Sequence, residues 1–240
     1  MAFALKNYFP EKKKVLQSVE FSICSCYNKL NNQLMERSGD VRVRNEEEFR
    51  RKKNELMEKC YECYAEYGLG AVGIKGLAEA CGCTSASLYT YFADLDDLIV
   101  QSTAYCMSKV EDDFMAKAPT DLEDVWRFID EIPYWTAKKH GKKYRLMYQV
   151  YTHPKYFSHG KDFFEGVNRR YSEYAAELES KIGIPKDIIT PLIFILIRAS
   201  VHYALFEDEF YLQAQLSVLK KGIALYLSQK DRLLKEENPL

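Results

Sequence analysis

The amino-acid sequence predicts an all-α protein, and three observations carry the prediction. Glycine and proline are few, 11 and 7 in 240 residues, and they stand mainly at the ends of segments whose apolar residues recur every three or four positions. No segment alternates apolar and polar residues as a half-buried strand does. Hydrophobic residues make up 47% of the chain, so a sizeable core can form without a metal or a disulfide.

Composition narrows the classes of function. The formal net charge is -1, so any contact with nucleic acid must come from a local basic patch. We expect no membrane span and a cytoplasmic protein, since the chain lacks both a run of about 18 apolar residues and the features of a signal peptide. A glycine-rich phosphate loop, a nucleophile elbow and a paired-acid motif are also missing, so we expect neither an enzyme nor a cofactor.

The seven cysteines do not predict a disulfide framework, because their number is odd and the expected compartment is reducing. Cys60 and Cys63 have the spacing of half a zinc knuckle. They fall within a helical pattern, however, and a structural zinc site needs four ligands. We therefore expect no metal site, and free cysteines that behave as small buried hydrophobic residues.

Residues 1–44 form a predicted N-terminal helical extension. Between residues 10 and 37 its apolar positions make one stripe, which indicates a helix that packs on the body of the protein or on a second copy. Lys12, Lys13 and Lys14 leave open a second interpretation, in which the extension is a basic arm that enters a DNA minor groove.

Residues 45–93 have the pattern of a helix-turn-helix. Asn45 caps a long helix that Gly68 closes, a short helix follows, Gly82 makes a turn, and Thr84 caps a third helix. Ala78 allows the two short helices to approach closely. The predicted buried positions are Leu56, Cys60, Cys63, Tyr64 and Tyr67 in the long helix, Ile74, Leu77, Ala78 and Cys81 in the second, and Leu88, Tyr91 and Phe92 in the third.

This pattern resembles the N-terminal DNA-binding domain of the TetR family over residues 56–98. The resemblance rests on Gly68, Leu77-Ala78, Gly82-Cys83, the segment Leu88-Tyr89-Thr90-Tyr91-Phe92, and Leu98. It implies a homodimeric transcriptional regulator, with a helical effector-binding and dimerisation domain at residues 94–240. It also implies a repressor that binds a palindromic operator in double-stranded DNA and is released by a small-molecule effector of unknown identity.

The DNA-contacting residues follow from this arrangement. Basic side chains on the first two helices are candidates for phosphate contacts, and polar side chains of the third are candidates for base contacts in the major groove. The candidates are Arg50, Arg51, Lys53 and Lys75 for phosphates, and Thr84, Ser85, Ser87, Tyr89 and Thr90 for bases.

Two features leave the DNA-binding interpretation open. The basic run can instead be an ordinary solvated helix face, balanced by nearby glutamates. Acids at Asp94, Asp96 and Asp97 would oppose DNA phosphates, although Asp94 with Asp97 also fits the cap of the next helix. The alternative function is a signal- or protein-binding module that retains the helix-turn-helix core and binds DNA weakly or not at all.

The rest of the chain is predicted to be a connecting helix from Asp94 to about Ala118, followed by roughly five helices. Thr120 with Glu123 resembles a capping box, and further boundaries are indicated at Gly141, Pro154, Gly160, Gly183 and Pro185. The last two helices, at residues 186–206 and 209–234, are apolar enough for a four-helix homodimer interface. Burial within one chain is the alternative.

An aromatic-rich region lies between the connecting helix and these last helices. Its rings could line a pocket for an apolar or aromatic effector, although aromatic residues at helical spacing are usually ordinary core. The ligand-binding candidates are Trp135, Tyr148, Tyr151, His153 and Phe164.

Overall fold

The computed structural model describes residues 46–237, with side chains as far as residue 229, and every regular element in that range is an α-helix. The all-α prediction is therefore confirmed. The predicted N-terminal extension lies outside the described residues. The helices are α1 (Glu46–Tyr67), α2 (Ile74–Cys81), α3 (Ser85–Tyr89), α4 (Leu95–Lys117), α5 (Leu122–Thr152), α6 (Phe157–Ile182), α7 (Lys186–Phe206) and α8 (Glu209–Glu237).

The chain forms two compact units, residues 1–51 and 52–240. Only residues 46–51, the start of α1, are described in the first unit, and here three glutamates occupy the first helical turn. Acidic side chains in that position interact favourably with the positive end of the helix dipole. All other described residues belong to the second unit, and the domain limits predicted at residues 44 and 93 stay predictions.

Local backbone geometry sets the three helices of the helix-turn-helix. Gly68 follows α1 at φ 93°, and Gly82 follows α2 at φ 67°. After α2, the Gly82 N–H donates to the carbonyl oxygen of Glu79 at 3.0 Å, and the Cys83 N–H donates to that of Ala78 at 2.9 Å. This pair of bonds is a Schellman motif, which favours glycine at the left-handed position. The predicted glycine stops are therefore confirmed.

The core of this region is built from the predicted apolar faces. Leu56, Leu77 and Leu88 are each no more than 1% exposed, and Ala78 is 3% exposed. Tyr67 was predicted to point inward, and that prediction is wrong because its side chain is 67% exposed. It ends α1 and lines an open surface pocket of about 620 Å³ beside residues of α2 and its preceding loop.

The second half of the chain contains four long helices after the connecting helix α4, fewer than the five expected. Gly141 and Gly160, predicted as boundaries, lie inside α5 and α6. A Cβ at Gly141 would lie 3.3 Å from the carbonyl oxygen of Ala204, and one at Gly160 would lie 2.8 Å from the Cβ of Tyr151. Both glycines mark close approaches between helices. A Cβ at Gly160 would be closer than real Cβ atoms come, whereas one at Gly141 would require a small shift of the neighbouring backbone.

The start of α5 differs slightly from the predicted capping box. Asp121, and not Thr120, caps the helix, since its carboxylate accepts a hydrogen bond from the Asp124 N–H at 2.9 Å. Thr120 lies one residue too early for that role. The error is small because several polar residues near a helix start compete for one cap position.

Helix α7 organises the second half, since it packs on α5, α6 and α8. A large apolar cluster surrounds it, with Ile132, Tyr171, Leu212 and Leu216 each no more than 2% exposed. Within the described range, α7 is the one helix long and apolar enough to cross a membrane by length and composition alone, a test that the core helix of a soluble protein also passes.

A buried acid interrupts the apolar packing between α4 and α6. The Tyr171 hydroxyl donates a hydrogen bond to the Glu111 carboxylate, and the neighbouring Arg170 pairs with Asp112 at 2.6 Å. Glu111 is 5% exposed, and burial raises the pKa of its carboxyl to about 7, although the Tyr171 hydrogen bond and the charge of Arg170 oppose that rise. Burial raises the pKa because the ionised carboxylate of Glu111 has lost the water that would stabilise its charge, so the neutral form is favoured.

The close packing of α2 predicts that Ala78→Leu destabilises the protein by about 1–3 kcal/mol, because the added atoms have no space in the core. Ala80→Leu is the matched control, since Ala80 lies on the exposed face of the same helix. Urea unfolding would measure both. Equal changes for the two variants would contradict the close approach at Ala78.

The buried Glu111 predicts a pH-dependent stability. The folded pKa, about 7, lies above the ordinary value of 4.5, so the stabilising contribution of Glu111 is complete below about pH 4.5 and is lost as pH rises to about 7. Glu111→Gln stays neutral throughout. Its free energy of unfolding should therefore gain up to about 3 kcal/mol relative to the wild type over that interval. Urea unfolding at several pH values measures the difference.

Glu173→Gln is the control for this experiment, because Glu173 lies on the exposed surface of α6. Its difference from the wild type should change little over the same interval. A Glu111→Gln difference that is equally flat would show that the Glu111 carboxyl is not held in its neutral form.

Candidate nucleic-acid interface

Helix α3 presents a polar surface to solvent while its apolar side anchors it. Leu88 is 1% exposed, whereas Tyr89 is 49% exposed. Thr84 and Thr90, at the two ends of the helix, are exposed, and Ser85 and Ser87 are half-buried. The geometry thus brings together the five predicted base-contacting residues on one short helix and its flanks. Such an arrangement is what insertion of a recognition helix into a major groove requires.

Several hydroxyl groups on this surface are already engaged locally. The Thr84 side chain accepts from the Ser87 N–H at 3.1 Å, which confirms the predicted cap. Its Oγ1 also lies 2.9 Å from the Ser87 hydroxyl, and the Thr90 hydroxyl donates to the Ala86 carbonyl oxygen at 3.2 Å. Ser85 and Tyr89 make no side-chain hydrogen bond within the described part of the chain, so their hydroxyls remain available for a ligand.

The four predicted phosphate-contacting residues differ in their surroundings. Arg50, Arg51 and Lys75 are exposed. The Lys53 ammonium instead lies over the Phe92 ring, 5.4 Å from its centre, and burial lowers the pKa of Lys53, although the charge of Asp97 opposes this. Next to it, Lys52 pairs with Glu55 at 3.1 Å. Part of the basic run therefore faces the protein, an orientation that the sequence did not reveal.

The acidic segment before α4 is accounted for by contacts within the chain. Asp94 accepts from the Asp97 N–H at 2.8 Å, and Asp97 accepts from the Ala93 N–H at 2.9 Å, which confirms the cap interpretation. Asp96 pairs with Lys155 and accepts from the Tyr156 hydroxyl at 2.5 Å. The Lys155 hydrogen bond, followed by that of Tyr156, lowers the pKa of Asp96.

Direct contacts connect the helix-turn-helix to the second half of the chain. The Tyr61 hydroxyl of α1 donates to the carbonyl oxygen of Lys143 in α5 at 2.7 Å. The Glu58 carboxylate of α1 pairs with Lys109 of α4 at 2.5 Å. Together with the contacts of Asp96, these bonds connect α1 and the start of α4 to the helices that follow, so a shift of α4 or α5 would be felt at α1.

The predicted ligand-binding residues do not form a single cluster. Ring contacts join Tyr148 and Tyr151 to Phe164, with centres 6.5 and 6.3 Å apart. Trp135 lies elsewhere, with its ring 5.1 Å from that of His140 and the ammonium of Lys117 4.9 Å from its centre.

His153 is separate from both groups. Its ring lies 5.3 Å from that of Tyr156, and its Nδ1 accepts from the Lys155 N–H at 3.2 Å. It therefore lies beside Lys155 and Tyr156, which contact Asp96 at the start of α4. His153 is thus next to the contacts between α4 and the segment that joins α5 to α6.

Sequence reasoning missed Arg198 of α7, which completes the aromatic cluster. Its guanidinium donates to the Tyr148 hydroxyl at 2.8 Å and lies 5.5 Å from the centre of the Phe164 ring. The sequence did contain a sign of this role, since Arg198 is a positively charged residue within the mainly apolar α7. Sequence reasoning also missed the buried Glu111, for which nothing in the local pattern of α4 predicts a partner on α6.

Between residues 46 and 237, no group of three or more histidine, cysteine or acidic side chains is arranged to hold a metal ion. The five cysteines in that range are free thiols.

Comparison with known proteins supports the helix-turn-helix by sequence. The model of the family described as "Bacterial regulatory proteins, tetR family" matches residues 56–101. A search of curated proteins found no match. The family match covers the whole segment on which the sequence resemblance rested.

Solved structures with a similar fold include several regulators of this family. A TetR transcription regulator from Haloarcula marismortui ATCC 43049 has a TM-score of 0.56 and 16% identity, over 71% of this chain and 95% of that one. A TetR-family regulator from Mesorhizobium loti MAFF303099 has a TM-score of 0.55 and 15% identity, over 71% and 96%. FadR from Bacillus subtilis, solved with stearoyl-CoA, has a TM-score of 0.50 and 16% identity, over 70% and 97%.

The sequence match and the fold agree on the same assignment. Each neighbouring structure is covered almost completely, so the likeness extends beyond the helix-turn-helix to the helices that follow it. Residues 56–101 therefore match the tetR-family model, and the described helices have the all-α fold of the TetR-family regulators named above.

Proposed function

We propose that this protein regulates transcription by binding a palindromic site in double-stranded DNA as a homodimer, and that it acts in the cytoplasm. The observation that carries the proposal is the exposed surface of α3. Tyr89 and Ser85 offer hydroxyls without partners in the described chain, on a helix held rigidly by Leu88. Two such helices in a symmetric dimer can read two half-sites about one DNA turn apart.

Phosphate contacts would come from exposed basic residues near the starts of α1 and α2. Lys75 lies in the first half of α2, and Arg50 and Arg51 are exposed near the start of α1. Contacts of this kind set register and affinity without reading sequence. Because Lys52 and Lys53 are engaged within the protein, we assign the electrostatic part of binding mainly to these three residues.

We further propose repression that a small-molecule effector releases. The candidate effector site is the cluster of Tyr148, Tyr151 and Phe164, where Arg198 supplies one positive charge. This composition suits a ligand with a large apolar part and one acidic group. The FadR neighbour, a relative by fold, was solved with stearoyl-CoA, whose long acyl chain is apolar and whose phosphate groups are acidic. Trp135 and His153 stay ligand-binding predictions at separate positions.

The last two helices support the proposed dimer. Helix α7 is apolar nearly all round, yet only 33% of its most apolar stretch is buried within one chain. On α8, Tyr211, Val218 and Leu225 follow one another at seven-residue intervals and are 37%, 63% and 61% exposed. An apolar stripe at this spacing, opposite the buried Leu212 and Leu216, fits a helix that packs on a second copy.

One observation favours a second candidate function. The start of α2, where a phosphate would approach, carries Val72 and Gly73, and its N-cap makes no side-chain hydrogen bond. A signal- or protein-binding module that lost its DNA affinity would have such a surface. Measurements of DNA binding separate the two candidates.

The DNA-binding proposal predicts a strong dependence on salt. The affinity for a random-sequence duplex, measured by fluorescence anisotropy, should fall with a logarithmic slope of roughly -0.9 for each neutralised phosphate. Lys75→Ala should make the slope less steep by about one for each subunit that contacts DNA. Lys138→Ala is the control, because Lys138 is exposed on α5, outside the helix-turn-helix.

The salt dependence distinguishes a DNA-binding regulator from an interaction module. A shallow slope for the wild type, or no binding at low salt, favours the interaction module over a regulator. Equal slopes for the wild type and Lys75→Ala would remove Lys75 from the interface while leaving DNA binding in place.

The dimer proposal predicts that Val218→Glu dissociates the protein into monomers, because a carboxylate in an apolar interface loses its hydration without gaining a partner. Ser217→Glu is the matched control, since Ser217 is the exposed neighbour on the same helix. Light scattering after gel filtration measures the mass. A wild-type monomer, or a Val218→Glu dimer of unchanged affinity, would contradict an interface on this face of α8.

A further inference from the structure

Two buried thiols face each other inside the DNA-binding domain. The Sγ atoms of Cys60 in α1 and Cys81 in α2 are 3.4 Å apart. Cys60 is fully buried and Cys81 is 5% exposed. The two residues are 21 positions apart in the sequence, so the fold, and not local spacing, brings them together. A disulfide needs sulfur atoms at about 2.05 Å, so an approach of little more than about 1 Å would join them.

We propose that Cys60 and Cys81 are an oxidation site at which a peroxide forms an intramolecular disulfide, and that this cross-link weakens DNA binding. The chemical half of this inference stands on the geometry of the two thiols alone. The regulatory half rests on the proposed function. Disulfides of proteins in a reducing compartment are usually transient and redox-sensing, which fits a bond made within a regulator.

The surroundings of the pair select Cys81 as the attacking thiol. The contact with the Cys60 thiol, in which either sulfur can be the donor, lowers the pKa of Cys81, burial opposes this, and the ammonium groups of Lys59 and Lys52 lower the pKa further. Burial raises the pKa of the neighbouring Cys63 and Cys83 thiols. The thiolate is the nucleophilic form of cysteine, so Cys81 reacts first.

Access to Cys81 is also the better of the two. It is the last residue of an eight-residue helix, directly before the turn at Gly82. Helix ends open locally at a small free-energy cost, and a peroxide is little larger than water. Cys60, in the middle of α1, is then positioned to act as the resolving thiol.

The reaction balances in two steps. The Cys81 thiolate attacks one oxygen of hydrogen peroxide and breaks the O–O bond, and the departing hydroxide takes up a proton to become water. The sulfur is now a sulfenic acid. The Cys60 sulfur attacks it, the S–S bond forms, and the sulfenic oxygen leaves as a second water with the remaining proton. The two sulfur atoms supply the two electrons that reduce the peroxide.

The cross-link would alter the DNA-reading surface because of its position. It pulls α2 towards α1, and α3 follows α2 after only Gly82, Cys83 and the cap Thr84. The Schellman bonds hold that turn rigidly, so a shift of α2 carries α3 with it. Lys75, on α2 itself, moves as well. Base contacts depend on distance and angle, so such a shift lowers affinity.

The first experiment tests the chemistry without DNA. The full-length chain is reduced, freed of reductant and treated with equimolar hydrogen peroxide; thiols are blocked with N-ethylmaleimide, and peptides are mapped by mass spectrometry. We expect a Cys60–Cys81 disulfide that dithiothreitol reverses. Cys63→Ala should still form it, whereas Cys60→Ala and Cys81→Ala should not. Unchanged thiols, a different pairing, or Cys81 oxidised to the sulfinic acid without a cross-link would each overturn the proposed site.

The second experiment tests regulation. The Kd for a random-sequence DNA duplex is measured for reduced and oxidised wild type and for the double variant Cys60→Ala/Cys81→Ala, with circular dichroism as a check on folding. Oxidation should raise the wild-type Kd about tenfold, because a shifted α2 no longer aligns Lys75 with the phosphates, and should leave the double variant unchanged.

The two failures are distinguishable. A mapped disulfide with unaltered DNA affinity overturns the regulatory half alone. Reduced wild type that binds no DNA overturns the proposed function, while peptide mapping of the wild type still decides the oxidation site.

Discussion

The turn between α2 and α3 is the constraint on which the position of the exposed α3 surface depends. Gly82 adopts a left-handed conformation that other residues adopt only with strain, and the carbonyl groups that α2 leaves unpaired accept bonds from the turn itself. Thr84 then satisfies the first N–H groups of α3. Since both helix ends are closed within a few residues, α3 can begin in only a narrow range of directions. The buried side chains of Leu77 and Leu88 then hold α2 and α3 in place against the core.

The net charge of -1 says little about which surfaces could meet DNA, because the charged residues before α4 have partners within the chain. The acids that precede α4 would repel DNA if they were free, but Asp94 and Asp97 cap the helix and Asp96 is neutralised by Lys155. Those internal contacts give each acid a structural role within the chain. Asp96 also attaches the start of the connecting helix to the segment between α5 and α6 through Lys155 and Tyr156.

The second half combines a rigid core with polar groups in unusual places. Helix α4 carries the buried Glu111, which is held by Tyr171, and helix α7 carries Arg198 against aromatic rings. Isolated buried charges cost stability unless hydrogen bonds compensate them. Glu111 is such a buried group, and the Tyr171 hydroxyl compensates it. Arg198 is exposed, so its guanidinium keeps water on one side while the other side meets the Phe164 ring.

The sequence by itself determined the helical class, the three-helix order of residues 46–92, the glycine stops and the caps at Thr84 and Asp94. These features depend on interactions between residues a few positions apart, which a local pattern records. Only the tertiary structure decided that Gly141 and Gly160 are close contacts inside helices, that Tyr67 faces solvent and that Lys53 turns towards Phe92. It alone brought Arg198 to Tyr148 and Cys60 to Cys81. In each case the partner lies on another helix, and the distance between two helices is set by the packing of the whole core.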